Sequence, residues 1–275
     1  MTQVPQSPST TCYRHPERET GRRCTRCGRS ACPDCLQEAS VGAQCVECVK
    51  AGAPSTRQRV TVFARNEPLL ATKIIIGINV IAFVVIGLRD SRFDGHGQTS
   101  LDYVLFGPSV AHGEWYRIFT SSFVHFGFVH ILFNMLLLWI VGQILEPGAG
   151  PLRFGLLYVA SVAAGSAAVL LFQPNVITAG ASGGVFGVAA AATLVMQRQG
   201  VSFWNTGFGP LLILNLLIDL PNHNISIAAH IGGAIGGLLA AEAMLQARKL
   251  GRPQLGLVAA ALVTVVAVAI GLAAA

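Results

Sequence analysis

The sequence predicts an all-α polytopic membrane protein with a small metal-binding domain at its N-terminal end. Three observations carry this reading. From about residue 71 onward the chain is a series of long apolar runs divided by short polar segments. Apolar residues make up 52% of its 275 positions and charged residues only 12%, where about 25% is usual for soluble domains. All seven cysteines fall before residue 49, in closely spaced pairs. The net charge of +6 comes largely from arginines before the first apolar run. That distribution fits the positive flank of a membrane span and lacks the clustering that nucleic-acid binding needs, so no nucleic acid is expected as a partner.

The elements follow in order. Residues 1–11 are polar, without the apolar core of a secretory signal, and are expected to be disordered. Residues 12–50 hold Cys12-x2-His15, Cys24-x2-Cys27, Cys32-x2-Cys35 and Cys45-x2-Cys48. Eight N and S ligands in four close pairs suit two zinc ions. A disulfide framework fits poorly, because seven is odd and the segment is expected on the reducing, cytoplasmic side. So small a segment has little apolar core, and bound metal should supply much of its folding free energy. All eight ligands are used, so the ions are structural and leave no open position for a reacting water. Residues 51–70, with Gly52, Pro54, Arg57, Arg59, Arg65 and Pro68, read as a basic linker.

The spans are expected at about Thr72–Leu88, Phe126–Leu145, Arg153–Phe172, a run opening at Gly180 and reaching Met196, Gly207–Leu220, Ile225–Leu245, and Gln254–Leu272. Asn79 in the first is read as helix–helix glue. The loop over 89–117 ends in Trp115-Tyr116-Arg117, residue types that suit a bilayer interface. Glu146-Pro147-Gly148 should stop the second span. Pro210 breaks the short fifth span, and His223 beyond it reads as a solvated loop residue.

Polar residues inside spans mark candidate chemistry. His130 and Asn134 are four apart, so they share a helix face; His125 lies at the start of that span and is assigned a supporting, structural role. Gly180-Ala181-Ser182-Gly183-Gly184 places one hydroxyl among residues with almost no side chains. Alone, such a serine more often bonds its own helix. In the sixth span His230, Gly233 and Gly237 fall on one stripe, which would let this helix approach a neighbour closely with His230 facing it. On a helical wheel Ser182 stands away from the glycines around it, so it is expected at the irregular helix start, near the N-cap.

Lys and Arg set the orientation. Arg57, Arg59, Arg65, Lys73, Arg153, Arg198, Arg248, Lys249 and Arg252 all fall on one side, which is then cytoplasmic; Arg89, Arg92 and Arg117 lie opposite. The N-terminus is expected inside, the C-terminus outside, in what reads as a bacterial plasma membrane. His130, Ser182 and His230 then lie at similar depth, toward the outer face.

Two resemblances follow from these motifs. The four ligand pairs in order resemble a B-box-type zinc finger, although the last pair is Cys-x2-Cys where that finger usually carries His. The resemblance implies a cross-braced fold, with Cys12, His15, Cys32 and Cys35 on one ion and Cys24, Cys27, Cys45 and Cys48 on the other. Trp115-Tyr116-Arg117, His125-x4-His130-x3-Asn134, Gly180-Ala181-Ser182-Gly183 and Ala229-His230-x-Gly232-Gly233, in this order, resemble the rhomboid family of intramembrane serine proteases. That resemblance covers roughly residues 72–247. It implies a six-helix core over 71–247, plus a seventh helix within 248–275.

It further implies Ser182 as nucleophile and His230 as general base, without a carboxylate. His130, Asn134 and the Ser182 N–H would meet the oxyanion, and Phe186 would pack on His230 with Gly180 and Gly233 in support. No cofactor is implied for catalysis. The partners implied are single-span membrane protein substrates within the lipid bilayer, cut near the outer face. A cytoplasmic protein partner is a further expectation for the zinc domain. The alternative is an inactive relative that binds membrane proteins as a scaffold.

Overall fold

The computed structural model describes residues 11–39, 41–52, 67–202, 209–210, 212–214 and 226–275. The chain divides into two compact units, Met1–Phe63 and Ala64–Ala275.

The smaller unit has little regular structure. Strands β1 (Leu36–Glu38) and β2 (Ala43–Cys45) pair antiparallel with Leu36 opposite Cys45, and helix α1 (Val46–Gly52) follows directly. Its interior is made of ligands: Cys12, Cys24, Cys32, Cys35 and Cys45 are all buried, with Ala31 as the largest apolar contribution among them that is fully closed off. Gly28, just past Cys27, adopts φ +76°, which lets its N–H fold back 2.8 Å to the Cys24 carbonyl.

The larger unit is helical. Among the described residues, five helices have the length and apolar composition to cross a membrane: α2 (Leu70–Asp90), α3 (Phe128–Ala149), α4 (Pro151–Phe172), α6 (Ile227–Lys249) and α7 (Pro253–Ala274). Helix α5 (Ser182–Arg198) has 17 residues, about 26 Å at 1.5 Å per residue. It is the most enclosed, with Val185, Val188, Ala189, Ala191 and Ala192 fully buried. The polytopic all-α membrane fold predicted from composition is therefore the one observed. The expected fifth span, with Asp219, Pro221 and His223, lies outside the described residues, apart from 209–210 and 212–214.

Helices α4, α5 and α6 pack closely because small residues line their contacts. A Cβ on Gly233 would stand 2.0 Å from the Gly183 carbonyl oxygen, and one on Gly237 2.3 Å from that of Gly187. The backbones of α5 and α6 meet there with nothing between them. Among the glycines of α5, Gly184 faces Tyr158 and Val162 of α4, Gly183 lies nearest the Ala229 carbonyl of α6, and Gly187 sits between Ser161 of α4 and the Gly233 carbonyl of α6.

Two sequence expectations need correction. Glu146-Pro147-Gly148 does not stop α3, which runs through Pro147 to Ala149 and ends on Gly150 at φ +81°. A proline so near a helix end costs one late hydrogen bond, and the left-handed glycine is the stronger terminator. Arg117 does not face outward as Trp115 and Tyr116 do. It is buried, and its guanidinium holds the Leu101 and Val104 carbonyls at 2.7 and 2.8 Å and the Glu114 carboxylate. The long loop it organises contains three short helices, Gln98–Leu101, Gly107–Ala111 and Arg117–Thr120. Asn79 is fully buried; its amide donates to the Ile75 carbonyl of its own helix at 2.9 Å, and its side chain also meets the Tyr158 hydroxyl on α4, in keeping with its expected role between helices.

Helix α2 begins without a local cap: Leu69 precedes it at φ 59° and offers no side-chain acceptor. The buried carboxylate of Glu146 supplies the acceptors instead, taking the N–H groups of Ala71 (2.7 Å) and Thr72 (2.9 Å) and the Thr72 hydroxyl (2.6 Å). A helix N-terminus offers unpaired donors and a positive dipole end, which a carboxylate satisfies together.

Candidate active site

Three chain segments converge at one end of the larger unit. The first is the start of α3. The His130 ring accepts the Phe126 N–H on Nδ1 at 3.2 Å, so its proton sits on Nε2. That Nε2 is buried and has no partner among the described residues. It points toward Gly180, where a Cβ would stand 2.9 Å from it. Gly180 adopts φ +127°, so an alanine there would be strained as well as obstructed. Asn134, one turn on, donates from its amide to the His130 carbonyl at 2.9 Å and has a second N–H to offer.

The second segment, 173–181, leads from α4 to α5. It is tied down by backbone bonds between Leu105 and Thr178, from Gly107 N–H to the Pro174 carbonyl, and from Gly180 N–H to the Ser121 carbonyl. The Ala181 N–H reaches His125 Nε2 at 3.4 Å. His125 is thus buried against the residue before Ser182, a structural position. Ala181 is the N-cap of α5 and Ser182 its first residue. Ala181 is already helical at φ −68° and ψ −8°, so the irregular start expected for Ser182 is not seen; the serine follows regular helix geometry and shares a face with Phe186, four residues on, and both meet His230.

The third segment is the first turn of α6. His230 Nε2 lies 2.9 Å from Ser182 Oγ, and both residues are buried. The Phe186 ring, one turn after Ser182, stacks on the imidazole with centroids 4.1 Å apart and planes 9° from parallel. The phenyl face limits how the imidazole can rotate, so its Nε2 stays directed at the hydroxyl. Gly233 sets the depth of α6 against Gly183. A small cavity of about 20 Å³ adjoins Ser182, with Ser121, Ser122, Ser166 and Thr178 in its wall; that is enough for one water.

The matches to known proteins agree with this geometry. The family model for the rhomboid domain matches residues 112–247. The chain is 33% identical over 195 residues to the rhomboid protease GluP of Bacillus subtilis, which covers 68% of this chain and 37% of GluP. It is 33% identical over 139 residues to YdcA of the same bacterium, covering 47% of this chain and 67% of YdcA. The chain belongs to the rhomboid family. RHOMBOID-like protein 1 of Arabidopsis thaliana is 37% identical over 134 residues, which span 34% of that longer protein and 46% of this rhomboid.

The rhomboid's smaller unit gathers its ligands into two groups: Cys12, His15, Cys32 and Cys35, and Cys24, Cys27, Cys45 and Cys48. This is the interleaved order that a cross-braced finger requires. Within each group all ligand atoms lie within 4.8 Å of one another. Two sulfurs bound tetrahedrally at about 2.3 Å from one ion would stand about 3.8 Å apart, and Cys27 Sγ and Cys45 Sγ are 3.8 Å apart. His15 presents Nδ1, 3.3 Å from Cys32 Sγ and 3.5 Å from Cys35 Sγ. These groups fit a metal ion.

Their protonation is finely divided. The Cys45 N–H draws the Cys24 thiol down to about 6, and the Arg29 guanidinium lowers that of Cys27. Burial pushes Cys35 up to about 11, and the hydrogen bond from Cys45 pushes Cys48 up to about 12. Crowded thiolates repel one another, and a divalent cation among them reverses that balance.

Sequence reasoning missed Glu146 as the cap of α2, and it missed Ser166, whose hydroxyl donates to the Ile118 carbonyl at 2.7 Å. An acid standing alone in an apolar run was the available signal for the first. A serine in a run of small residues gave none for the second.

Proposed function

We propose that this rhomboid is an intramembrane serine endopeptidase that cuts single-span membrane proteins near the outer membrane face. The observation that carries the reading is the 2.9 Å contact between Ser182 Oγ and His230 Nε2, buried and braced by Phe186. The imidazole takes the hydroxyl proton as Oγ attacks the peptide carbonyl. The oxyanion is met by His130 Nε2–H, the Asn134 amide and the Ser182 N–H, donors aimed where charge develops. Protonated His230 then gives its proton to the leaving amine. A water activated by the same imidazole resolves the acyl-enzyme, and the hydroxyl-lined cavity beside Ser182 suits such a water.

The smaller unit in this reading is a structural zinc finger with two ions, and it docks a cytoplasmic protein partner. The N-terminus is cytoplasmic and the C-terminus outside, following the Lys and Arg distribution. The test is reconstitution in liposomes with a single-span reporter and a serine-directed fluorophosphonate. Wild type should cut the reporter and be labelled, and Ser182→Ala should do neither. Cleavage that persists in Ser182→Ala, or a wild type that binds the reporter without ever cutting it, would refute the reading; the latter result would point to a scaffold.

A further inference from the structure

Among the described long helices, α6 alone has an N-cap residue whose own side chain caps it. The cap is Ser226, which is buried at 3% exposure. Its hydroxyl oxygen accepts the Ala229 N–H at 3.2 Å, and its hydroxyl proton goes to the side-chain carbonyl of Gln173. Its backbone carbonyl accepts the N–H of His230 at 3.3 Å. A single residue therefore holds the backbone of His230 and reaches across to another segment.

That other segment is the one that delivers Ser182. Gln173 closes α4, with its N–H on the Val169 carbonyl at 2.7 Å, and its own carbonyl accepts the Val176 N–H at 3.0 Å, starting the turn toward Ser182. The Ser182 side is anchored independently by Leu105, Gly107, Ser121 and His125. The glycine contacts with α5 fix how close α6 comes at Gly233 and Gly237, below His230. In the first turn of α6 the Ala229 carbonyl packs against Gly165 of α4 and Gly183 of α5, and Ser226 lies just before that contact, where α6 begins. The bond from Ser226 to Gln173 holds that starting point above His230.

We propose that Ser226 and Gln173 are positioning residues for the dyad, holding the first turn of α6 so that His230 Nε2 stays within hydrogen-bonding distance of Ser182 Oγ. The proposal rests on the dyad reading given above. Neither residue touches substrate; both act through His230. Small displacements of a catalytic group are costly to rate, and a lost serine cap is worth roughly a tenfold change in an equilibrium between ordered and frayed first turns.

The experiment uses the full chain in liposomes and compares wild type, Ser226→Ala, Ser226→Thr, Gln173→Leu and the Ser226→Ala/Gln173→Leu double variant. Three quantities are read: the rate of fluorophosphonate labelling, kcat and KM for a single-span reporter, and the thermal unfolding midpoint. The expected result is a loss of about tenfold in labelling rate and kcat for Ser226→Ala, with KM unchanged and the unfolding midpoint lowered by only the roughly 2–4 °C that a lost cap itself causes. Ser226→Thr keeps the hydroxyl and should stay near wild type. Gln173→Leu leaves the cap bond but removes its tether, so it should lose rate as well, and the double variant should fall by less than the product of the two. Single variants labelled at the wild-type rate, a Ser226→Thr as slow as Ser226→Ala, or losses that track an unfolding midpoint lowered well beyond that range would each overturn the proposal. A wild type that is neither labelled nor active would instead sink the dyad reading, and this inference with it.

Discussion

His230 Nε2 stands 2.9 Å from Ser182 Oγ, although 48 residues and the whole of α5 separate them in the chain. Two features make that distance possible: the direct contact of α5 and α6 backbones at Gly183–Gly233 and Gly187–Gly237, and the placement of Ser182 as the first residue of its helix. A general base of this kind is worth about 10²–10⁴ in rate. His230→Ala is therefore expected to reduce reporter cleavage by at least about 10²-fold with the fold intact, read as turnover in liposomes beside the thermal unfolding midpoint. A variant that keeps wild-type turnover would remove His230 from the chemistry.

The oxyanion assignment makes a different demand. His130 Nε2 is a buried donor with no partner among the described residues, an arrangement that costs free energy in the resting state and gains its bond when charge develops. His130→Ala is expected to lower kcat by about 10²–10³-fold and to leave KM nearly unchanged. A rise in KM at constant kcat would mean that His130 binds substrate and not the oxyanion.

The helix contact can be tested at glycines alone. A Cβ on Gly233 would sit 2.0 Å from the Gly183 carbonyl, with backbone on both sides and no flexible atom to yield. Gly233→Ala should push α6 from α5 and cut activity by about 10²-fold, because a shift near 1 Å at the reacting groups costs about that much. Gly155 on α4 has nothing within 4 Å, so Gly155→Ala is the matched control and should be neutral or slightly stabilising. Equal activity in the two variants would show that close approach is not what the α6 glycine provides.

How much of this was legible in the sequence depends on how local each feature is. His230, Gly233 and Gly237 form a stripe because helical periodicity writes a face into the sequence, and the ligand pairs of the smaller unit are written two residues apart. The polar tethers carry no such period. Glu146 meets Ala71 and Thr72 from 74 and 75 positions away, and Ser226 meets Gln173 from 53 away. Each is one polar side chain in an apolar or loop context, and only the packing reveals what it faces. Pro147 misled for a related reason: proline is a strong local stop signal, but its cost depends on how many hydrogen bonds remain beyond it, and here the helix had only two residues left.

Glu146 offers a stability prediction that is independent of catalysis. Its carboxylate satisfies three buried donors at the start of α2, and α2 has no cap of its own. Glu146→Ala leaves those donors unpaired, at about 1–3 kcal/mol for each buried group that finds no substitute. The unfolding midpoint should fall clearly, whereas the surviving folded fraction should be labelled by the phosphonate at the wild-type rate. A slowed labelling rate at low temperature would mean that this end of the bundle communicates with the dyad.

The metal groups give the last test. The smaller unit has almost no apolar interior beyond its ligands, so bound metal should hold it together. A strong chelator is expected to remove about two ions per chain, abolish the ordered signal of this unit, and leave phosphonate labelling of Ser182 unchanged. Acid should also release the ions, because the thiols must be deprotonated to bind; labelling is compared at constant neutral pH, where the His230 imidazole is free to act as base. The Cys24 thiol, drawn down to about 6, holds its charge to lower pH, whereas Cys35 and Cys48, pushed up to about 11 and 12, depend on the ion to stay ionised. Metal release should therefore be cooperative in protons and complete well before the helical unit unfolds. The measurement is metal content across a pH series, and metal content with labelling rate on the same samples across a chelator series at constant pH. Labelling that falls in step with metal loss would show that the dyad depends on the metal-bound unit.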